Sequence, residues 1–152
     1  MKIATYLLLA TMALMPLNGA AAPADLQIPE VRSPENGTNI GAPGDRYCRH
    51  EGFCDEITAR GWIPEERSAF FVVAPRKTPG RIWVQPPITH VNRDGTFSGL
   101  VHLGKLDEGA GEKFDIFALA CPAGFQLVDG QIIFAMPEDC EVSDAVEVTR
   151  ER

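Results

Sequence analysis

The chain has 152 residues, with 14 Lys+Arg against 21 Asp+Glu and four cysteines. That length suits one domain and leaves little room for two. A negative balance without a Lys/Arg cluster argues against nucleic acid or anionic lipid as partner, since both are polyanions.

Met1-Lys2 is a short positive start, Ile3 to Leu17 is apolar, and Asn18 to Ala24 is rich in small residues. This order is that of a secretory signal peptide, and it predicts one over residues 1–24. Ala22-Pro23-Ala24 matches an A-x-A site, which places cleavage after Ala24, with Ala20 and Ala21 as alternatives. Lys2 is the only charge in this segment, so the mature chain keeps 13 Lys+Arg against 21 Asp+Glu. No later apolar run approaches the ~20 residues that cross a bilayer, so no membrane span is expected. The expected location is periplasmic or secreted.

Residues 25–32 read as an extended lead-in, and the domain is expected over 33–152. Ser33-Pro34-Glu35-Asn36-Gly37 is a turn signal. Ile57 to Trp62 alternates as a strand does and ends near Pro64. Ala69-Phe70-Phe71-Val72-Val73-Ala74 is wholly apolar and stopped by Pro75, which predicts a buried strand. Arg81 to Gln85 resumes the extended pattern until Pro86-Pro87 marks an edge or a break.

A hairpin is expected next, with Ile88 to Val91 leading into Asn92-Arg93-Asp94-Gly95 and Thr96 to Leu103 leading out. Phe97, Val101 and Leu103 share one face, and Thr96, Ser98 and His102 the other. Phe114 to Cys121 is apolar on both faces and therefore central. After Pro122 the pattern weakens, and residues 122–140 fit either a hairpin or a short helix and a strand. Ala145 to Arg150 is a terminal strand with alternating charge. Short strands at intervals of roughly 8–12 residues, with turn signals between them, predict an all-β sandwich or barrel with little helix.

All four cysteines, Cys48, Cys54, Cys121 and Cys140, lie beyond the leader. An even count in an exported chain points to disulfides, and four cysteines allow three pairings. Cys48–Cys54 and Cys121–Cys140 are favoured because each closes a local loop rich in Gly, Pro and charge. Cys48, His50 and Cys54 would be the rival metal set, but their spacing is not that of a zinc site.

Ser33-Pro34-Glu35-Asn36-Gly37, Gly61, Phe70 to Ala74, Trp83-Val84-Gln85 and Asp94-Gly95-Thr96-Phe97 stand in a recognisable order. Leu103-Gly104, Gly111 with Phe114, Ile116 and Ala118, and the closing Val146, Val148 and Arg150 follow them. The series resembles a group of small secreted bacterial immunoglobulin-like β-sandwich modules, over about Val31 to Arg150. The resemblance implies an antiparallel immunoglobulin-like sandwich that is not an enzyme. Two features depart from it: the Cys48–Cys54 insertion, and Phe97 where Trp is common.

Catalytic patterns are weak. Ser98 lacks the G-x-S-x-G spacing of a nucleophile elbow and reads as an outward strand residue. His90 and His102 fall too far apart along the expected hairpin to share an ion. Glu65 and Glu66 sit together on a turn. Asp107, Glu108, Glu112 and Asp115 form an acidic loop over 105–115 that gives weak calcium candidates without an EF-hand spacing. Trp62, Trp83 and Phe97 fit core packing better than a binding platform. No catalytic residue and no cofactor are expected. The expected function is recognition of a protein or an envelope component through loops Pro75–Gly80, Asn92–Gly95 and Lys105–Glu112. The alternative is a periplasmic ion- or small-ligand-binding protein using the acidic loop.

Overall fold

The structure is a computed structural model that describes residues 27–41, 46–50, 53–105 and 109–151. The expected signal peptide lies outside the described residues. Eleven strands and no helix occur among those residues. They are β1 (Glu30–Ser33), β2 (Thr38–Ile40), β3 (Cys48–His50), β4 (Phe53–Trp62), β5 (Arg67–Pro75) and β6 (Ile82–Val84). The rest are β7 (Thr96–His102), β8 (Glu112–Pro122), β9 (Ile132–Ile133), β10 (Glu141–Val142) and β11 (Val146–Arg150).

The strands form two packed sheets, so the molecule is an all-β sandwich. In the first sheet β4 pairs with β7 along one edge, and with β1 and the short β3 along the other. The second runs β2-β11-β8-β5-β6-β9, with β10 beside β11 on β8. All pairs are antiparallel except β2 with β11. Placing β1, β4 and β7 opposite β6, β5, β8 and β11 is the partition of an immunoglobulin-type sandwich. The chain crosses from the first sheet to the second just after the cis Ser33–Pro34 bond. β1, which spans the end of the expected lead-in, is thus part of the first sheet.

Side-chain alternation decides what lies between the sheets. Ile57 and Ala59 of β4, with Phe97 and Val101 of β7, face Phe71 and Val73 of β5 and Phe114, Ile116 and Ala118 of β8. In the middle of β5 and in the second half of β8 the residues of opposite parity are apolar too. Phe70, Val72, Leu119 and Cys121 build a second cluster on the far face of the second sheet. Phe125, Leu127, Ile133 and Met136 cover that cluster, and all four come from the segment between Cys121 and Cys140. The central strands are apolar on both faces because both faces are covered.

The favoured cysteine pairing is the one present. Cys121 and Cys140 join with Cα atoms 4.2 Å apart, which ties down the covering segment. Cys48 and Cys54 join β3 to β4 with Cα atoms 5.1 Å apart. Two disulfides are compatible with an oxidising, extracytoplasmic compartment.

Two local expectations are corrected. The hairpin before β7 reduces to the turn 92–95 and one bridge, Val91 to Phe97, while β7 pairs along its length with β4. Residues 122–140 form neither a full hairpin nor a helix. Only Ile132 and Ile133 pair, with β6, and Phe125, Leu127 and Met136 serve as apolar cover. Of the two readings of Pro86-Pro87 the break holds: β6 lies between β5 and β9, and the prolines follow its end.

Candidate functional site

Loop Pro75–Gly80 and the described residues of the second loop, Lys105, Gly109, Ala110 and Glu112, meet at one end of the sandwich, where β5 and β7 end and β8 begins. There they line an open cleft of about 830 Å³ with Trp83, Gln85, His102 and Ile132. Asn92–Gly95, the third expected recognition loop, lies at the opposite end. Its Gly95 carbonyl accepts the Ile63 amide at 3.0 Å, next to the turn between β4 and β5.

Charge pairs and backbone capture hold the walls of the cleft. Arg76 binds both Asp115 carboxylate oxygens at 2.9–3.1 Å and also reaches Glu147, which takes a further bond from Lys113 at 2.8 Å. The bond to Asp115 holds the Arg76 guanidinium above its ordinary value. Lys77 binds Glu112 at 2.7 Å. On the other wall Arg150, which is 1% exposed, donates from Nη1 to the Leu103 and Lys105 carbonyls at 2.8 and 2.6 Å. Buried Gln85 closes the base, donating to Trp83 O at 3.1 Å and accepting the His102 amide at 2.7 Å. The Thr78 hydroxyl, buried in the same lining, has no hydrogen-bond partner among the described residues.

The expected candidate residues separate. Asp107 and Glu108 lie outside the described residues. Glu112 and Asp115 project from opposite faces of β8 and hold Lys77 and Arg76, so calcium would have to displace both cations. Among the described residues no group of three His, Cys, Asp or Glu is placed to hold a metal. His90 is exposed and outside the strands, whereas His102 lies 3.6 Å from Glu56 across β4 and β7. Trp62, Trp83 and Phe97 form no common platform. Phe97 is in the core, 4.9 Å from Phe71, and Trp62 and Trp83 belong to different sheets. Ser98 stands exposed on the outer face of β7.

A second cleft, of about 750 Å³, lies on the outer face of the first sheet. Arg32, Arg46 and Arg60 line it together with Tyr47, Thr58 and Ser98. Sequence reasoning missed this cluster because its arginines are 14 residues apart. Only the outward parity of Thr58 and Arg60 on β4 signals it. Sequence reasoning also missed Gln85, whose role requires knowing that β6 and β7 flank one cleft.

No family model, curated protein or solved structure matches the chain.

Proposed function

We propose that the protein is an exported, non-enzymatic recognition module that engages a protein or envelope component through the cleft around Trp83. The observation that carries this reading is the convergence of two loops on one cleft at an end of a rigid sandwich. Loops held by a rigid scaffold are where binding residues concentrate. Trp83 and Ile132 offer apolar area, and Arg81 and Lys105 offer polar contacts. Trp and Arg are the side chains that most often dominate the energy of protein interfaces. The apolar leader at residues 1–24 and the two disulfides support export.

Site-directed photo-crosslinking in intact cells tests the proposal. A photoreactive residue at Arg81 or Ala110, both exposed in the cleft lining, should give a discrete adduct with one envelope component. The same residue at exposed Glu138, on the covering segment, should give none. Equal adducts from all three positions, or no adduct from the cleft positions, would overturn it.

A further inference from the structure

We propose that the cleft on the outer face of the first sheet is a binding site for an anionic ligand bearing a carboxylate or phosphate group. The inference is independent of the reading of the loop cleft, which lies against other strands. In a chain with seven more acidic than basic residues, three arginines line this cleft, and Glu35 is the one carboxylate in its lining among the described residues. The nearby Asp94 carboxylate is already committed, accepting the Thr96 hydroxyl at 2.6 Å and the Thr96 amide at 3.0 Å.

The arginines are arranged for capture. Arg32 lies 5.6 Å over the Trp62 ring, and it spends only its Nε on Glu30, at 3.0 Å. With Nε engaged, the two terminal guanidinium nitrogens remain, and their planar fork matches the two oxygens of a carboxylate or phosphate. Trp62 is itself fixed, donating its indole N–H to Asp94 O at 2.7 Å. Arg60, exposed on β4, makes no hydrogen bond or ion pair among the described residues. Arg46 lies 5.3 Å over the Tyr47 ring at the same cleft. Thr58, two residues before Arg60 on β4, and Ser98, directly opposite Arg60 on β7, add hydroxyls to the lining, which can donate to the same oxygens or bind sugar hydroxyls.

Calorimetric titration of the oxidised mature protein with inorganic phosphate and, separately, with digalacturonate tests the site and distinguishes the two anionic groups. Saturable binding of either probe at constant ionic strength is expected. Arg60→Gln and Arg32→Gln should each weaken it about tenfold or more, as loss of a charged hydrogen-bond donor implies. Arg81→Gln, in the loop cleft, should leave it unchanged. All three arginines are exposed, so unchanged melting temperatures will show that the variants fold. Binding of neither probe, or binding that survives Arg60→Gln and Arg32→Gln together, would overturn the proposal. Equal weakening by Arg81→Gln would overturn it as well.

Discussion

Gly61 is the penultimate residue of β4 (Phe53–Trp62) and lies directly opposite Phe97 of β7. A Cβ at this position would stand 2.5 Å from Phe97 Cζ and 2.9 Å from Cε1. Carbon atoms in good contact stay about 3.5–4.0 Å apart, so Gly61→Ala must move the ring. The ring has little room, being 3% exposed and packed against Phe71. Overpacking of this kind costs about 1–3 kcal/mol. The stiffer unfolded chain offsets about 0.4–1 kcal/mol of that, leaving a net loss of about 1–2 kcal/mol. Phe97→Leu removes the offending ring atoms at a cost of its own. On that background the new Cβ still meets the Glu30 carbonyl oxygen at 3.0 Å, which cancels the gain from the stiffer unfolded chain, so Gly61→Ala should be nearly neutral and the coupling energy between positions 61 and 97 about 1–2 kcal/mol. Urea unfolding of the four proteins, compared at a common slope, measures it. Additivity within about 0.5 kcal/mol would refute the argument, because Gly61 would then be required for something other than the Phe97 ring.

Three further outcomes are expected. Arg150→Ala should lower stability by about 2–3 kcal/mol in urea unfolding, because the Leu103 and Lys105 carbonyls lose a charged donor in a buried place; a loss under 0.5 kcal/mol would contradict the role given to Arg150. Replacing Cys121 and Cys140 by Ala should cost about 3 kcal/mol for a loop of roughly 20 residues, and should increase binding of a hydrophobic dye as the outer cluster is uncovered; an unchanged dye signal would mean that the cover holds without its clamp. Stability should also fall in acid. The Thr96 hydroxyl chiefly holds the Asp94 carboxyl below its ordinary value, and Lys113 chiefly does the same for Glu147. The native state then binds fewer protons than the unfolded chain. The resulting stability is present above the unfolded values of about 3.9 and 4.3, and is lost as pH falls through the lower native ones. Asp94→Asn with Glu147→Gln should make this fall shallower, and an unchanged acid limb would show that other groups cause it.

Strand parity was the most legible feature of the chain. Phe97, Val101 and Leu103 share the core face as alternation requires, and Ala69 to Val73 of the apolar run are buried as their composition implies. The same parity places Arg150 on the core side with Val146 and Val148, yet its charge reads as surface until the carbonyls that receive it are known. The covering segment was illegible for another reason. Phe125, Leu127, Ile133 and Met136 bury against a sheet face without taking up a regular period, so no pattern announces them. The hairpin before β7 misled because Asp94-Gly95 does form a tight turn, with Gly95 at φ 82° and the Ile63 carbonyl pressed against it. A local turn does not decide which strand becomes the partner, and β4 offers β7 seven paired positions where residues 88–91 offer one. Of the two clefts, the loop cleft was half visible, since two of its loops had been singled out by composition. The arginine cleft depends on contacts between distant segments and was not.

The central structural claim is that the second sheet is sealed on both faces while the first presents an open outer face. Hydroxyl-radical footprinting with mass spectrometry tests it most directly. In the oxidised protein Phe134 and Val128, 76% and 68% exposed, should label fast, and Phe70 and Leu119 should be protected. Leu100, half-buried on the outer side of β7, should label at an intermediate rate. After reduction and alkylation Phe70 and Leu119 should become reactive. Labelling of Phe70 and Leu119 as fast as Phe134 in the oxidised protein would contradict the account.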